Sequence, residues 1–224
     1  EGMRIRVEGS GQVLAFLSTS SQGQSHETTF AQVIADALGV PLDQVRVVPG
    51  DTAGIPYGVG TFASRVGVLA SNAAARAGDE LRRKILAIAA SRLEAAPEDL
   101  VLDDSRVAVR GAPGTSLTLA EVATLASAVR PGYSLPPGLE PGLEATAYFK
   151  PDQSTYSSGA HAAVVEVDRE TGRIRVLRYV VVDDCGNMIN PAVVAGQIHG
   201  GVAQGIGQAL YEGVHYDAEG QLLT

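Results

Sequence analysis

Two strand–turn–helix junctions constrain this chain most. The first is Ser20-Ser21-Gln22-Gly23-Gln24-Ser25-His26-Glu27-Thr28-Thr29-Phe30, where an apolar segment runs into a polar turn and an amphipathic helix leaves it. The second is Gly58-Val59-Gly60-Thr61-Phe62-Ala63-Ser64-Arg65, again a glycine-rich loop opening a helix. A helix start leaves backbone N–H groups without intrahelical partners, and the helix dipole favours negative charge there. Two such starts reached from strands of one sheet can converge on a single anion. Gly23 permits close backbone approach, Gln22 and Gln24 can donate and accept at once, and Arg65 is a bidentate donor suited to phosphate. Each junction alone also reads as an ordinary surface turn before a helix, with Arg65 in a surface ion pair.

Around these junctions the periodicity predicts an α+β chain with mixed sheets, packed helices and no Rossmann pattern. Residues 3–8 and 12–19 predict a hairpin about Gly9-Ser10-Gly11. A helix is expected over 25–38, with Phe30, Ile34 and Leu38 on one face, Ser25 as cap, and Gly39-Val40-Pro41 as stop. A strand at 45–48 and a long helix from Ser64 or Arg65 to about Leu93 follow. Two short strands (100–102 and 107–109) and a helix over 119–129 form a small insert. The loop from Pro131 to Pro141 holds four prolines and is the best internal boundary. Beyond it come a strand at 142–149, a hairpin (161–168 and 173–183), a helix from Pro191 to Gly213, and a last hairpin about Glu219-Gly220. The expected organisation is one domain, divisible into sublobes 1–95 and 142–224, with an inserted unit at 96–141.

The third unusual segment is the 191–213 helix, which carries Gly196, Gly200, Gly201, Gly205 and Gly207. Each interior glycine costs ~1 kcal/mol relative to alanine, so the run implies close approach of a ligand or of another backbone. Asp183-Asp184-Cys185-Gly186 ends an apolar strand, where the carboxylates suit a site mouth or a turn equally well. Cys185 has no base placed beside it by sequence and reads as a structural thiol; His161 and His199 read as packed side chains.

Charge and composition exclude several functions. With 17 basic against 25 acidic residues, the net charge is −8, which argues against a surface that binds polyanions by bulk electrostatics. The absence of Trp, with aromatics at 5%, argues against base stacking on single strands. One cysteine excludes an internal disulfide and a cysteine-rich metal site, and fits a reducing cytoplasm. No segment approaches the ~20 apolar residues of a membrane span. The abrupt start before Met3 reads as the edge of a longer polypeptide.

Taken together, three groups of motifs carry a resemblance. They are Gln22-Gly23-Gln24-x-His26-Glu27-Thr28-Thr29; Gly50-Asp51-Thr52 with Pro56-Tyr57-Gly58-x-Gly60-Thr61-x-x-Ser64-Arg65; and Asp183-Asp184-Cys185-Gly186 with Asn190-Pro191 and Gly196-Gln197-Ile198-His199-Gly200-Gly201. The chain resembles the large subunit of the molybdenum hydroxylases, the xanthine dehydrogenase/aldehyde oxidase family, above all its aerobic carbon monoxide dehydrogenase large-chain variant. The resemblance implies a second molybdopterin-binding domain. It also implies a cofactor in molybdopterin cytosine dinucleotide form, with oxo and sulfido ligands on the molybdenum. The reaction implied inserts a water-derived oxygen into an aldehyde, an N-heterocycle or CO, with electrons passed to iron–sulfur and flavin subunits in a dimer of heterotrimers. Gln22, Gly23, Gln24, Ser25 and His26 would line one side of the cofactor. Thr61, Phe62, Ala63, Ser64 and Arg65 would line another, and Asp183 and Gln197 would lie near its dinucleotide end. Ser25 departs from the family, which usually has glycine there. The family's catalytic glutamate, in a Gly-x-Gly-Glu motif, is expected downstream of Thr224. The resemblance therefore places no catalytic residue or metal ligand in this chain, which on its own is expected to be inactive and without bound cofactor. The rivals are a non-catalytic anion- or nucleotide-binding module and a purely structural domain that contacts partner subunits.

Overall fold

The computed structural model describes residues 1–127 and 133–224. They form two compact units, residues 1–154 and 155–224.

The first unit is built on a four-stranded sheet. β1 (Gly2–Val7) and β2 (Val13–Leu17) form the expected hairpin, pairing Met3 with Leu17 and Val7 with Val13. β3 (Val45–Pro49) lies parallel to β2, and β7 (Glu144–Tyr148) closes the other edge against β1. The strand order is β3-β2-β1-β7. Alternation does the work: Met3, Ile5, Val7, Val13, Ala15 and Leu17 are buried on one face, while Arg4, Arg6, Leu14 and Phe16 stand half-buried on the other.

Two helices cover the buried face. α1 (His26–Leu38) contributes Phe30, Ile34 and Leu38, as its 3.6-residue period predicts. α2 (Val66–Leu93) packs through Ala70, Ala73, Ala74 and Ala77, then Leu81, Ile85 and Ile88. The run of alanines lets sheet and α1 approach closely, and the longer side chains fill the far end of the core. α1 stops at Gly39, whose φ of 60° is left-handed and where a Cβ would stand 2.6 Å from the Leu102 carbonyl oxygen. Only glycine satisfies both conditions.

The insert is a three-stranded sheet of β4 (Leu100–Asp103), β5 (Arg106–Val109) and β6 (Ala112–Thr118), followed by α3 (Leu119–Ala126). No strand is expected from the sequence between 109 and 119, so β6 is an addition. The segment is an edge strand, where a proline removes no ladder bond that another strand needs. α3 opens with a full capping box between Thr118 and Glu121. The expected end of this helix at 128–129 lies outside the described residues, as does the start of the proline-rich loop.

In the second unit, β8 (Ser158–Val167) and β9 (Ile174–Asp184) form a long antiparallel hairpin with an irregularity at Val164/Val165. α4 (Pro191–Leu210) begins with Pro191 in its first turn, and the Asn190 side chain accepts from the Val193 N–H at 3.1 Å. The helix ends at Leu210 and not at Gly213, because the Gly207 carbonyl takes both the Tyr211 and Glu212 N–H groups. The expected last hairpin is reduced to one bridge, Tyr216 to Leu222. There the Asp217 carboxylate takes the Glu219 and Gln221 amides.

Candidate binding loops of the first unit

The two junctions singled out in the sequence are tied to each other. β2 runs into the 18–25 turn, and β3 runs into the 50–65 loop beside it. Because β2 and β3 are parallel neighbours, both loops leave the same end of the sheet. Thr61 Oγ1 donates to the Ser20 carbonyl at 2.5 Å. At Gly58, an added Cβ would stand 2.0 Å from the Ser18 carbonyl oxygen, so the loops touch backbone to backbone there.

Both helix starts hold strained backbone. Ser25 is left-handed, with φ 58° and ψ 40°, and so are the consecutive residues Ala63 and Ser64, at φ 53° and 52°. Left-handed conformation costs a side-chain-bearing residue ~1–2 kcal/mol. Strain of this kind persists where surrounding contacts over-determine it, and it gathers at ligand sites. At position 25 a glycine would adopt the same positive φ without that cost.

Ser25 precedes α1 as expected, but its side chain does not cap. Its carbonyl instead accepts from the Thr29 N–H at 3.0 Å and the Thr29 hydroxyl at 2.6 Å. α2, which begins after Arg65, likewise has no side-chain cap. α3 and α4 are both capped by side chains. The two helices expected to face a ligand are therefore the two whose first-turn N–H groups no capping side chain takes up.

Two buried polar atoms beside these loops have no hydrogen-bond partner among the described residues: His26 Nδ1 and Thr19 Oγ1. His26 is only 5% exposed and Thr19 2%. Leaving such atoms unsatisfied costs ~1–3 kcal/mol each, which marks a place for a further polar group. Burial pushes the His26 pKa below the ordinary histidine value, with neighbouring Glu27 pulling it part of the way back. The ring is held neutral against Phe30, with centroids 5.3 Å apart.

The remaining candidates fall as follows. Gln22 and Gly23 are exposed, Gly23 at φ 104° with open space where a Cβ would stand. Gln24 Oε1 accepts from the Gln22 N–H at 2.7 Å, which fixes the turn. Phe62 is 55% exposed, and the Arg65 guanidinium lies 4.9 Å over its ring. Arg65 Nη1 donates to the Gly60 carbonyl at 2.9 Å and pairs with the Glu1 carboxylate. Glu1, Ser18 and Thr19 were not legible as site residues. Glu1 lies 64 residues from Arg65, and only the fold brings them together. Asp183 and Gln197 belong to the second unit, Asp183 near the end of β9 opposite Gly159 and Gln197 on α4, both exposed. Within that unit, nothing beyond the local backbone of α4 comes within 4 Å of where a Cβ would stand at Gly196, Gly200, Gly201 or Gly205 among the described residues.

Set beside known proteins, residues 1–224 match the family described as "Molybdopterin cofactor-binding domain". The carbon monoxide dehydrogenase large chain of Hydrogenophaga pseudoflava is 41% identical over 224 residues, covering 100% of this chain and 27% of its own length. The nicotine 6-hydroxylase large subunit of Paenarthrobacter nicotinovorans is 41% identical over 220 residues, covering 98% of this chain and 27% of that protein. Among solved structures, quinoline 2-oxidoreductase from Pseudomonas putida 86 superposes with a TM-score of 0.86 at 43% identity, over 100% of this chain and 28% of that one. The chain thus spans about a quarter of the length of the relatives it matches.

Proposed function

This chain belongs to the molybdopterin cofactor-binding domain family, and from that premise we propose that it walls part of the cofactor cavity in a molybdenum hydroxylase large subunit. The observation that carries the proposal is the pairing of two uncapped, strained helix starts, tied by Thr61 and Ser20. With the orphaned His26 Nδ1 and Thr19 Oγ1 beside them, these loops fit a large, polar, anionic ligand.

The first-turn N–H groups of α1 and the backbone amides of Gly23–Ser25 would bind the ligand's polar edge, with the Gln22 N–H kept by Gln24. His26, neutral and buried, would offer Nδ1 to it. Thr61, Ser64 and the 61–65 backbone would hold the facing edge, with Phe62 giving an apolar surface. Asp183 and Gln197 would meet the dinucleotide end, in its cytosine form. The cofactor, when bound, supplies a two-electron centre for inserting a water-derived oxygen into a small substrate. None of the residues named moves a proton in that reaction. Their work is to bind, to orient and to exclude water, which accounts for the predominance of backbone donors and uncharged side chains.

The rest of the polypeptide would supply the other wall and the catalytic glutamate, with iron–sulfur and flavin subunits as electron acceptors in a cytoplasmic dimer of heterotrimers. Turnover of the full-length polypeptide with its subunits, in oxygen-18 water, tests this against an aldehyde, an N-heterocycle and CO. Label in the product supports the reading, and oxygen drawn only from O2 overturns it.

A further inference from the structure

Glu1 has a side chain with 0% exposure, and both of its carboxylate oxygens are occupied. Oε1 takes the Arg65 guanidinium, while Oε2 accepts from Ser18 Oγ at 2.9 Å and from the Val59 N–H at 3.1 Å. Ser18 Oγ in turn accepts from the Gly2 N–H at 2.9 Å. Arg65 Nη1 also reaches the Gly60 carbonyl at 2.9 Å. One buried carboxylate therefore ties together the end of β2, the near end of the 59–65 loop and its far end. Burial pushes the Glu1 carboxyl up, but the Val59 amide, Arg65 and Ser18 outweigh it and hold the group below its ordinary value.

We propose that Glu1 is a positioning residue for the 59–65 loop, and that Arg65 acts as its partner and not as a direct donor to a bound phosphate. The loop needs such a tie. Ala63 and Ser64 sit at φ 53° and 52° immediately before Arg65, and strained backbone of this kind persists only where the surrounding structure over-determines it. Arg65 fixes one flank through Glu1, and the Val59 amide fixes the other through the same carboxylate. Arg65 Nη1 is committed to a buried carboxylate and a carbonyl, and the carboxylate neutralises the charge the guanidinium would otherwise bring to a phosphate. The bearing of this pair on the ligand rests on the cofactor reading; its bearing on the loop does not.

The test uses the full-length polypeptide with Glu1→Gln, Arg65→Gln and the double substitution. It reads amide hydrogen exchange across 59–65 and molybdenum per chain. Glu1→Gln is expected to speed exchange in the loop at least tenfold and to lower molybdenum content at least twofold. The double variant is expected to be no worse than Arg65→Gln alone, because the two groups act as one unit. Unchanged exchange in Glu1→Gln overturns the proposal. So does a Glu1→Gln protein that keeps its molybdenum while Arg65→Gln loses it, since Arg65 would then bind the ligand directly. If Glu1→Gln fails to fold, Glu1→Asp takes its place: intermediate exchange supports the tie and wild-type exchange overturns it. A wild-type chain without molybdenum defeats the cofactor reading, and the exchange data still decide the pair.

Discussion

Thr61 Oγ1 donates a 2.5 Å hydrogen bond to the Ser20 carbonyl, joining two loops 41 residues apart in the chain. This bond makes one wall out of two junctions. Thr61→Val keeps the shape and removes the donor. Because the bond is exposed, water can replace it, and the expected stability loss is only about 0.5–1.5 kcal/mol. Molybdenum content of the full-length protein should fall more than that small loss suggests. Denaturation midpoint and metal content, measured on one preparation, check both parts.

Ser25→Gly should stabilise. It relieves a left-handed serine, worth ~1–2 kcal/mol, against ~0.5–1 kcal/mol of extra chain entropy in the unfolded state. The Ser25 hydroxyl caps nothing, so no hydrogen bond is lost with it. A gain of about 0.5–1 kcal/mol in chemical denaturation is expected, and a loss would mean the hydroxyl has a partner that the present contacts do not include.

Gly58→Ala should do the opposite. Its Cβ would stand 2.0 Å from the Ser18 carbonyl oxygen, and that atom belongs to backbone held on one side by β2 and on the other by the Glu1 network. Overpacking of this kind costs ~1–3 kcal/mol. The effect should show both in the unfolding midpoint and as faster exchange of amides in both loops.

His26 gives the fold a pH dependence of known sign. Burial lowers its pKa below the ordinary histidine value of 6.5. As pH falls through 6.5 the unfolded chain takes up a proton that the folded chain refuses, so stability drops. The drop ends once the lower folded pKa is passed. The stabilisation is fully present above the ordinary histidine value. His26→Leu should remove this component, so wild type loses stability relative to the variant as pH falls from about 7.5 through 6.5. A constant difference across that range would contradict it.

Local signals placed much of the fold. Phe30, Ile34 and Leu38 fixed the buried face of α1, Gly39 its end and Asn190-Pro191 the start of α4, each through chemistry confined to a few neighbouring residues. Long-range pairing was not legible. β7 closes the sheet by pairing Ala145 with Ile5 across most of the first unit, and no local pattern encodes that choice. The loops were readable as helix starts because glycine and glutamine stand out in sequence. Their joining was not, since it rests on contacts between residues far apart in the chain: the Thr61–Ser20 bond, the Gly58–Ser18 approach, the Glu1 carboxylate and parallel β2–β3 pairing. Arg65 illustrates the difference. Its residue type suggested a phosphate donor, whereas its fold neighbour is a buried carboxylate that no nearby residue announces.

The most direct test of the account is the molybdenum and cytosine nucleotide content of the purified full-length polypeptide. The account predicts about one of each per folded chain, released together on denaturation. A folded full-length chain with neither, from cells supplied with molybdate, would contradict it.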